Sequence, residues 1–160
     1  MAPSPREFSA WGTVYHYFGR WKSSGVWTCL QRKIYKQARR KAGRSVCPSM
    51  VIMDGQSVKT TERGGVRGFD NNKLVASMDN KLVKGRKRHI LVDTLGRLIA
   101  CRVEPAKISD RKAASLLLGG LGPLFPDIRR VMAEAGHESR KLARQLRRND
   151  GWKLQITKRR

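Results

Sequence analysis

Val51-Ile52-Met53-Asp54-Gly55-Gln56-Ser57-Val58-Lys59 decides how the rest of the chain is read. Three apolar residues run straight into a carboxylate, and a glycine follows it. A short apolar run closed by a turn residue predicts a buried strand. Asp54 is then expected at or near the end of that strand. A carboxylate there is costly unless it pairs with a cation or coordinates a metal. The chain holds 12 Asp and Glu against 35 Lys and Arg, so cation partners abound and pairing is the plain reading. The second reading is metal or catalytic use, because acids at strand ends recur in sites grafted on α/β folds.

The pattern returns downstream. Ile128 to Ala133 reads as a second buried strand, and it too runs into a carboxylate, Glu134. Neighbouring strands lie about 5 Å apart, so acids ending two of them are close enough to share metal ions. Paired metals about 4 Å apart activate a water or hydroxyl and stabilise the leaving oxygen of a phosphodiester.

Ahead of this core, residues 1–44 read as a small helical head. Trp11 to Ala42 predicts two helices broken at Ser23-Ser24-Gly25, with Gly43 as the stop. Val14, Tyr17, Phe18 and Trp21 recur at helical spacing in the first. Trp27, Leu30, Ile34 and Ala38 form one stripe in the second. These aromatics read as core rather than as platforms for stacking bases. Lys36, Arg39 and Arg40 lie off the stripe. They are expected to meet phosphate rather than base edges, since no reader motif accompanies them.

Beyond Asp54, Thr60 to Asn72 reads as loop. Asn72-Lys73-Leu74-Val75 recurs eight residues later as Asn80-Lys81-Leu82-Val83, a small tandem duplication that lengthens the loop. The basic run Lys84-Gly85-Arg86-Lys87-Arg88-His89 leads into Ile90-Leu91-Val92-Asp93. Thr94-Leu95-Gly96 turns the chain, and Leu98 to Val103 returns it, which predicts an antiparallel hairpin. Lys84, Arg86, Lys87 and Arg88 are expected to contact phosphate; the alternative is solvated surface. Ser109 is the expected N-cap of a helix from Asp110 to Leu118, ended by Gly119-Gly120. Ser139 to Arg148 reads as another helix, with Leu142, Ala143 and Leu146 inward and Arg144 outward. Asn149-Asp150-Gly151 stops it, and Trp152 to Thr157 is the last strand. Strand, hairpin, helix, strand, helix, strand after a helical head is a mixed α/β layer arrangement.

A formal net charge of +23 calls for a polyanionic partner, and nucleic acid is the first candidate. No apolar run is long enough to span a bilayer, and Met1 to Ala10 lacks the apolar core of a signal peptide. A cytoplasmic location and no membrane partner are expected. The three cysteines are odd in number and far apart, with no Cys-x-x-Cys pair, so neither a disulfide framework nor a zinc site is expected. His16, His89 and His137 are equally scattered and read as surface or core residues rather than ligands.

Three stretches carry a resemblance. They are Asp54-Gly55-Gln56-Ser57-Val58-Lys59-Thr60, then Gly64-Gly65-Val66-Arg67-Gly68-Phe69-Asp70, then Val83-Lys84-Gly85-Arg86-Lys87-Arg88-His89-Ile90-Leu91-Val92-Asp93-Thr94-Leu95-Gly96. Together they resemble bacterial insertion-sequence transposases of the DDE type. Val14-Tyr15-His16-Tyr17-Phe18 with Trp21 and Gly25-Val26-Trp27, Ser109-Asp110-Arg111, and Trp152-Lys153-Leu154 with Lys158-Arg159 also fit. The resemblance implies a ribonuclease-H-like fold, a mixed sheet with flanking helices, over residues 45–160. It implies three acids holding two divalent metals, usually magnesium, for strand cleavage and transfer at transposon ends. Asp54 matches the first acid. Ala133-Glu134-Ala135-Gly136-His137 stands where the family has Ala-Asp-Gly-Gly-Tyr, so Glu134 takes the second place and two neighbours also differ. The third acid, a Glu on a helix beyond the last strand, has no counterpart before Arg160, so the C-terminal part of the domain is expected to be missing. Asp93, Glu104, Asp110 and Glu138 are the remaining candidates, and none follows the last strand on a helix.

Three functions are in contention. One is a transposase, truncated or decayed, with little activity alone, acting on transposon ends and target DNA and able to self-associate. Another is a DNA-binding protein that occupies transposon ends without cutting them. The third is a generic basic RNA- or ribosome-associated protein. The Asp54 and Lys84–Gly96 runs weigh against the third, because a charge-driven binder needs neither.

Overall fold

The computed structural model describes residues 9–60, 66–70 and 84–157. The duplicated segment, Asn72 to Val83, and the final Lys158-Arg159-Arg160 lie outside the described residues. The chain divides into two compact units, one up to Val46 and one from Cys47.

The first unit is a pair of helices, α1 (Trp11–Ser23) and α2 (Val26–Lys41). The break falls where the small polar residues put it. Ser24 Oγ donates to the Arg20 carbonyl at 2.8 Å, and Gly25 takes the left-handed conformation at φ 74°. Arg39, Arg40 and Lys41 fill the last turn of α2, where cations complement the helix dipole. The expectation that the aromatics form a core does not hold. Trp11, Tyr15, Tyr17, Phe18, Trp21 and Trp27 are all exposed, Tyr15 by 61%. They pack on one another instead: Trp11 stacks on Tyr15 at 4.9 Å, and Trp21 meets Trp27 edge-on at 5.3 Å. The stripe Trp27, Leu30, Ile34 is likewise exposed, and the buried α2 residues are Tyr35 and Arg39. The physical reason is layering. Two helices bury only the strip where they face each other, and a full core needs a second layer.

The second unit is one mixed sheet with β1 (Met50–Lys59), β2 (Gly68–Phe69), β3 (Lys84–Asp93), β4 (Leu98–Pro105), β5 (Arg130–Glu134) and β6 (Lys153–Thr157). β3 lies between β1 on one side and β2 and β4 on the other; β5 and then β6 follow on the far side of β1. The β1, β3 and β4 strands pair antiparallel, while β1, β5 and β6 pair parallel. The parallel steps are made by α3 (Asp110–Leu118) between β4 and β5 and by α4 (Arg140–Asp150) between β5 and β6. Both helices start as the sequence predicts: Ser109 Oγ accepts from the Lys112 N–H, and Ser139 Oγ accepts from the Leu142 N–H at 3.2 Å. Gly151, at φ 70°, ends α4.

One sheet face is the core. Val51, Met53, Leu91, Val131 and Ala133 are buried on it, with Ala113, Ala114, Leu117 and Leu118 of α3 and Leu142 and Leu146 of α4. The alternating positions turn to the other face. There Ile52, Asp54, Val58, Arg88, Val103 and Glu134 are exposed.

Two expectations need correction. The strand does not stop at Asp54; it runs on to Lys59, so Asp54 sits in mid-strand. Gly55 is there for space rather than for a turn: a Cβ on it would lie 3.1 Å from His89 Nδ1. The basic run does not lead into a strand but is itself the first half of β3.

Candidate active site

Parallel pairing sets Met53 of β1 opposite Ala133 of β5. Both are buried, so the next residues, Asp54 and Glu134, turn together to the exposed face. Adjacent strands at equal register thus put two carboxylates side by side. Asp54 Oδ1 accepts a hydrogen bond from the Gly55 N–H at 2.7 Å, which fixes the side chain against its own strand. Glu134 closes β5 and opens a single 3-10 turn, Ala135–His137. On β3, Ile90 lies opposite Asp54 and Arg88 opposite Gln56. Arg88 is held in a two-pronged contact, Nε at 3.1 Å and an outer nitrogen at 2.6 Å from Gln56 Oε1.

The cations named from sequence separate by strand alternation. Lys84 and Arg88 are exposed and Arg86 half-buried, all on the Asp54 side; Arg86 Nε reaches the Val66 carbonyl at 3.3 Å. Lys36, Arg40 and Arg144 are exposed on their helices. Lys87 is not a phosphate contact. It is 3% exposed and turns inward, with Nζ 3.2 Å from Asp70 Oδ1 and 3.0 Å from Asp110 Oδ1. Ser57 Oγ donates to the other oxygen of Asp70. One ammonium thus serves two carboxylates beneath the sheet. Arg39 is corrected for the same reason: it is buried, its Nε donates to the Ser45 carbonyl, and its guanidinium lies 5.9 Å from the centre of the Tyr35 ring.

The other acids have structural work. Asp93 is fully buried and its Oδ1 accepts from the Leu95 and Arg97 N–H groups, both at 2.9 Å, which shapes the β3–β4 turn. Glu104 bonds Arg102. Among the described residues no third carboxylate joins Asp54 and Glu134 in a cluster of possible ligands; the cluster that does form is His89, Asp110 and His137.

Sequence reasoning missed that cluster. His89 and His137 are 0% and 2% exposed, and their rings meet edge-on with centroids 6.4 Å apart. Burial pushes both imidazoles below their ordinary value of 6.5, while the Asp110 charge pulls both back up. The Glu134 backbone carbonyl, Asp54 and Glu134 also raise His137, so this cluster and the carboxylate pair share one neighbourhood. A signal for half of it existed. Leu91 is an obvious inward residue, and a period of two from Leu91 reaches His89 and Lys87. His137 follows a strand end and carried no such signal.

Residues 45–160 match the family described as Transposase DDE domain. A mixed α/β sheet with carboxylates on adjacent parallel strands is the ribonuclease-H-like arrangement of DDE transposases, and the chain belongs to that family. No curated protein and no solved structure matches the chain. Membership implies DNA as the substrate and dependence on a divalent metal. Two adjacent carboxylates are hard oxygen donors of the kind such a cation takes, so the Asp54–Glu134 pair fits that requirement as part of a ligand set. No helix among the described residues is long and apolar enough to cross a membrane.

Proposed function

We propose that the chain is a DNA transposase of a bacterial insertion sequence, cutting and joining the element's ends in the cytoplasm, with Asp54 and Glu134 as metal-binding carboxylates. The observation that carries this reading is their placement side by side on the exposed sheet face, with Arg88 one pair along from Asp54. Magnesium is the metal expected; Asp54 and Glu134 would hold it, and it would supply activation of the attacking hydroxyl and stabilisation of the leaving oxygen. The chain's own residues bind and orient. Asp54, held by the Gly55 N–H, presents its carboxylate outward. Arg88, Arg86 and Lys84 take the phosphates beside it, and Lys36, Arg40 and Arg144 add contacts elsewhere. Phosphate contacts of this sort position the duplex without reading its sequence.

Activity from this chain alone is expected to be low. Glu134 reaches one methylene further than Asp, and misplacing a catalytic group by about 1 Å costs on the order of 10²-fold. The lack of a third clustered carboxylate beside the pair among the described residues favours, as second reading, a protein that occupies transposon ends without cutting them. Nicking of a duplex bearing the element's ends, with magnesium or manganese, separates the two. Weak metal-dependent nicking lost in Asp54→Ala supports the transposase reading. DNA binding with no difference in nicking between wild type and Asp54→Ala supports the second.

A further inference from the structure

We propose that His89, Asp110 and His137 form a binding site for one divalent transition metal, zinc foremost, separate from the carboxylate pair on the exposed face. Each residue offers one ligand atom, and the three atoms lie within 4.8 Å of one another. Three elements supply them: β3, the first turn of α3, and the 3-10 turn that follows Glu134.

The strongest support is what the imidazoles lack. Both nitrogens of His89 are buried without a hydrogen-bond partner; those of His137 are buried with no close hydrogen bond, and the Glu134 backbone acts on that ring from nearby. Buried polar atoms of this kind are rare in a folded protein, and an ion is one of the few things that explains them. Edge-on packing of the two rings satisfies their carbon surface but none of the four nitrogens. A metal would take one lone pair from each ring, and the Glu134 carbonyl would take the proton on the second nitrogen of His137. Burial favours the neutral ring in both, the form that binds metal.

The surroundings are closely packed. A Cβ on Gly136 would lie 2.7 Å from Asp110 Oδ2, and one on Gly55 3.1 Å from His89 Nδ1. Lys87 holds Asp110 Oδ1 at 3.0 Å, an outer partner that orients the carboxylate. Two imidazoles and a carboxylate suit zinc, whereas magnesium prefers oxygen alone. Tetrahedral bonds of about 2.0–2.2 Å place donors about 3.4 Å apart, so binding draws the three groups in by roughly 1 Å. The ion would then lock the turn three residues beyond Glu134 to β3 and α3, and so fix where Glu134 points.

The test uses the full chain without a histidine tag, stripped with chelator and confirmed folded by circular dichroism. Zinc is titrated calorimetrically, and cobalt replaces it as a spectroscopic probe. One equivalent of zinc, a raised melting temperature, and visible cobalt bands without a thiolate charge-transfer band are expected. Cys29, Cys47 and Cys101 all changed to Ser should bind as before, and so should Asp54→Asn with Glu134→Gln. His137→Gln and Asp110→Asn should each weaken binding at least tenfold. Folded wild type that takes up neither metal overturns the proposal, as does a cobalt–thiolate band. Binding that survives in His137→Gln but is lost with the Asp54 and Glu134 changes also overturns it. If His137→Gln does not fold, the wild-type cobalt spectrum and the Asp54/Glu134 variant decide. The carboxylate changes remove nicking and leave zinc binding, so this proposal and the transposase reading fail separately.

Discussion

Lys87 and its neighbours Arg86 and Arg88 are chemically alike but face opposite sides of the sheet. In a strand, consecutive side chains point to opposite faces, so a run of three cations cannot all meet the same phosphate backbone. Lys87 turns in, where Asp70 and Asp110 await it. Removing one partner of such a buried network leaves charge without compensation, which costs about 3–5 kcal/mol. Lys87→Ala should therefore lower the urea midpoint sharply. A change within the scatter of surface substitutions, about 0.5 kcal/mol, would show that the network contributes nothing to stability. The two buried histidines make a pH prediction for metal-free protein. Their folded values lie below 6.5, the value regained on unfolding. Between those values the unfolded chain binds more protons than the folded one, so stability falls as pH drops through 6.5 toward the lowered values. Urea melts at about pH 7.5 and about pH 5.5 should differ in that direction, and less so in His137→Phe. Stability unchanged across that interval would mean that the rings are not held neutral.

At the scale of elements, most of the fold was legible. The β3–β4 hairpin, α3 with its Ser109 cap, α4 with its Gly151 stop, and β5 ending in Glu134 all sit where apolar period and punctuation put them. The adjacency of Asp54 and Glu134 was half legible: Glu134 does end its strand, but Asp54 lies in mid-strand, and the parallel register that makes them neighbours is a long-range fact. Gly55 was misread because a glycine after an apolar run signals a turn, whereas here it makes room for an imidazole from the next strand. The histidine cluster as a whole was illegible because it is long-range: His89 to Asp110 spans 21 residues and Asp110 to His137 spans 27, and only the folding of β3, α3 and the turn after β5 brings them together. β3 as an element yields a DNA-binding prediction. Arg86→Ala with Arg88→Ala, leaving Lys87 in place, removes two cations from the exposed face. Each phosphate contact contributes about −0.9 to the log–log salt slope. The double variant should flatten that slope by about 1.8 if both residues meet phosphate. An unchanged slope would make them solvated surface.

At the scale of the whole molecule, the two units each leave apolar surface in water. The helix pair exposes Trp11, Tyr17, Phe18, Trp21 and Trp27, while the sheet face around Asp54 exposes Ile52, Val58 and Val103, the last by 56%. Exposed single apolar residues are ordinary, but contiguous patches are not, and they lower the gain from folding. Among the described residues β6 pairs only with β5, so its outer edge offers unpaired backbone groups. A charge of +23 adds self-repulsion to the compact state. All of these act in one direction, and the cores that oppose them are small. The free chain is therefore expected to be marginally stable. Thermal melts should show a low, broad transition that moves up when DNA is added, since a ligand that binds only the folded state stabilises it by mass action. Added salt should have two opposing effects: less self-repulsion in the free chain, and weaker DNA binding in the complex. Calorimetry of free and DNA-bound protein at two salt concentrations measures both. A sharp, high-temperature transition of soluble monomer, indifferent to DNA, would show that these exposed surfaces carry no cost.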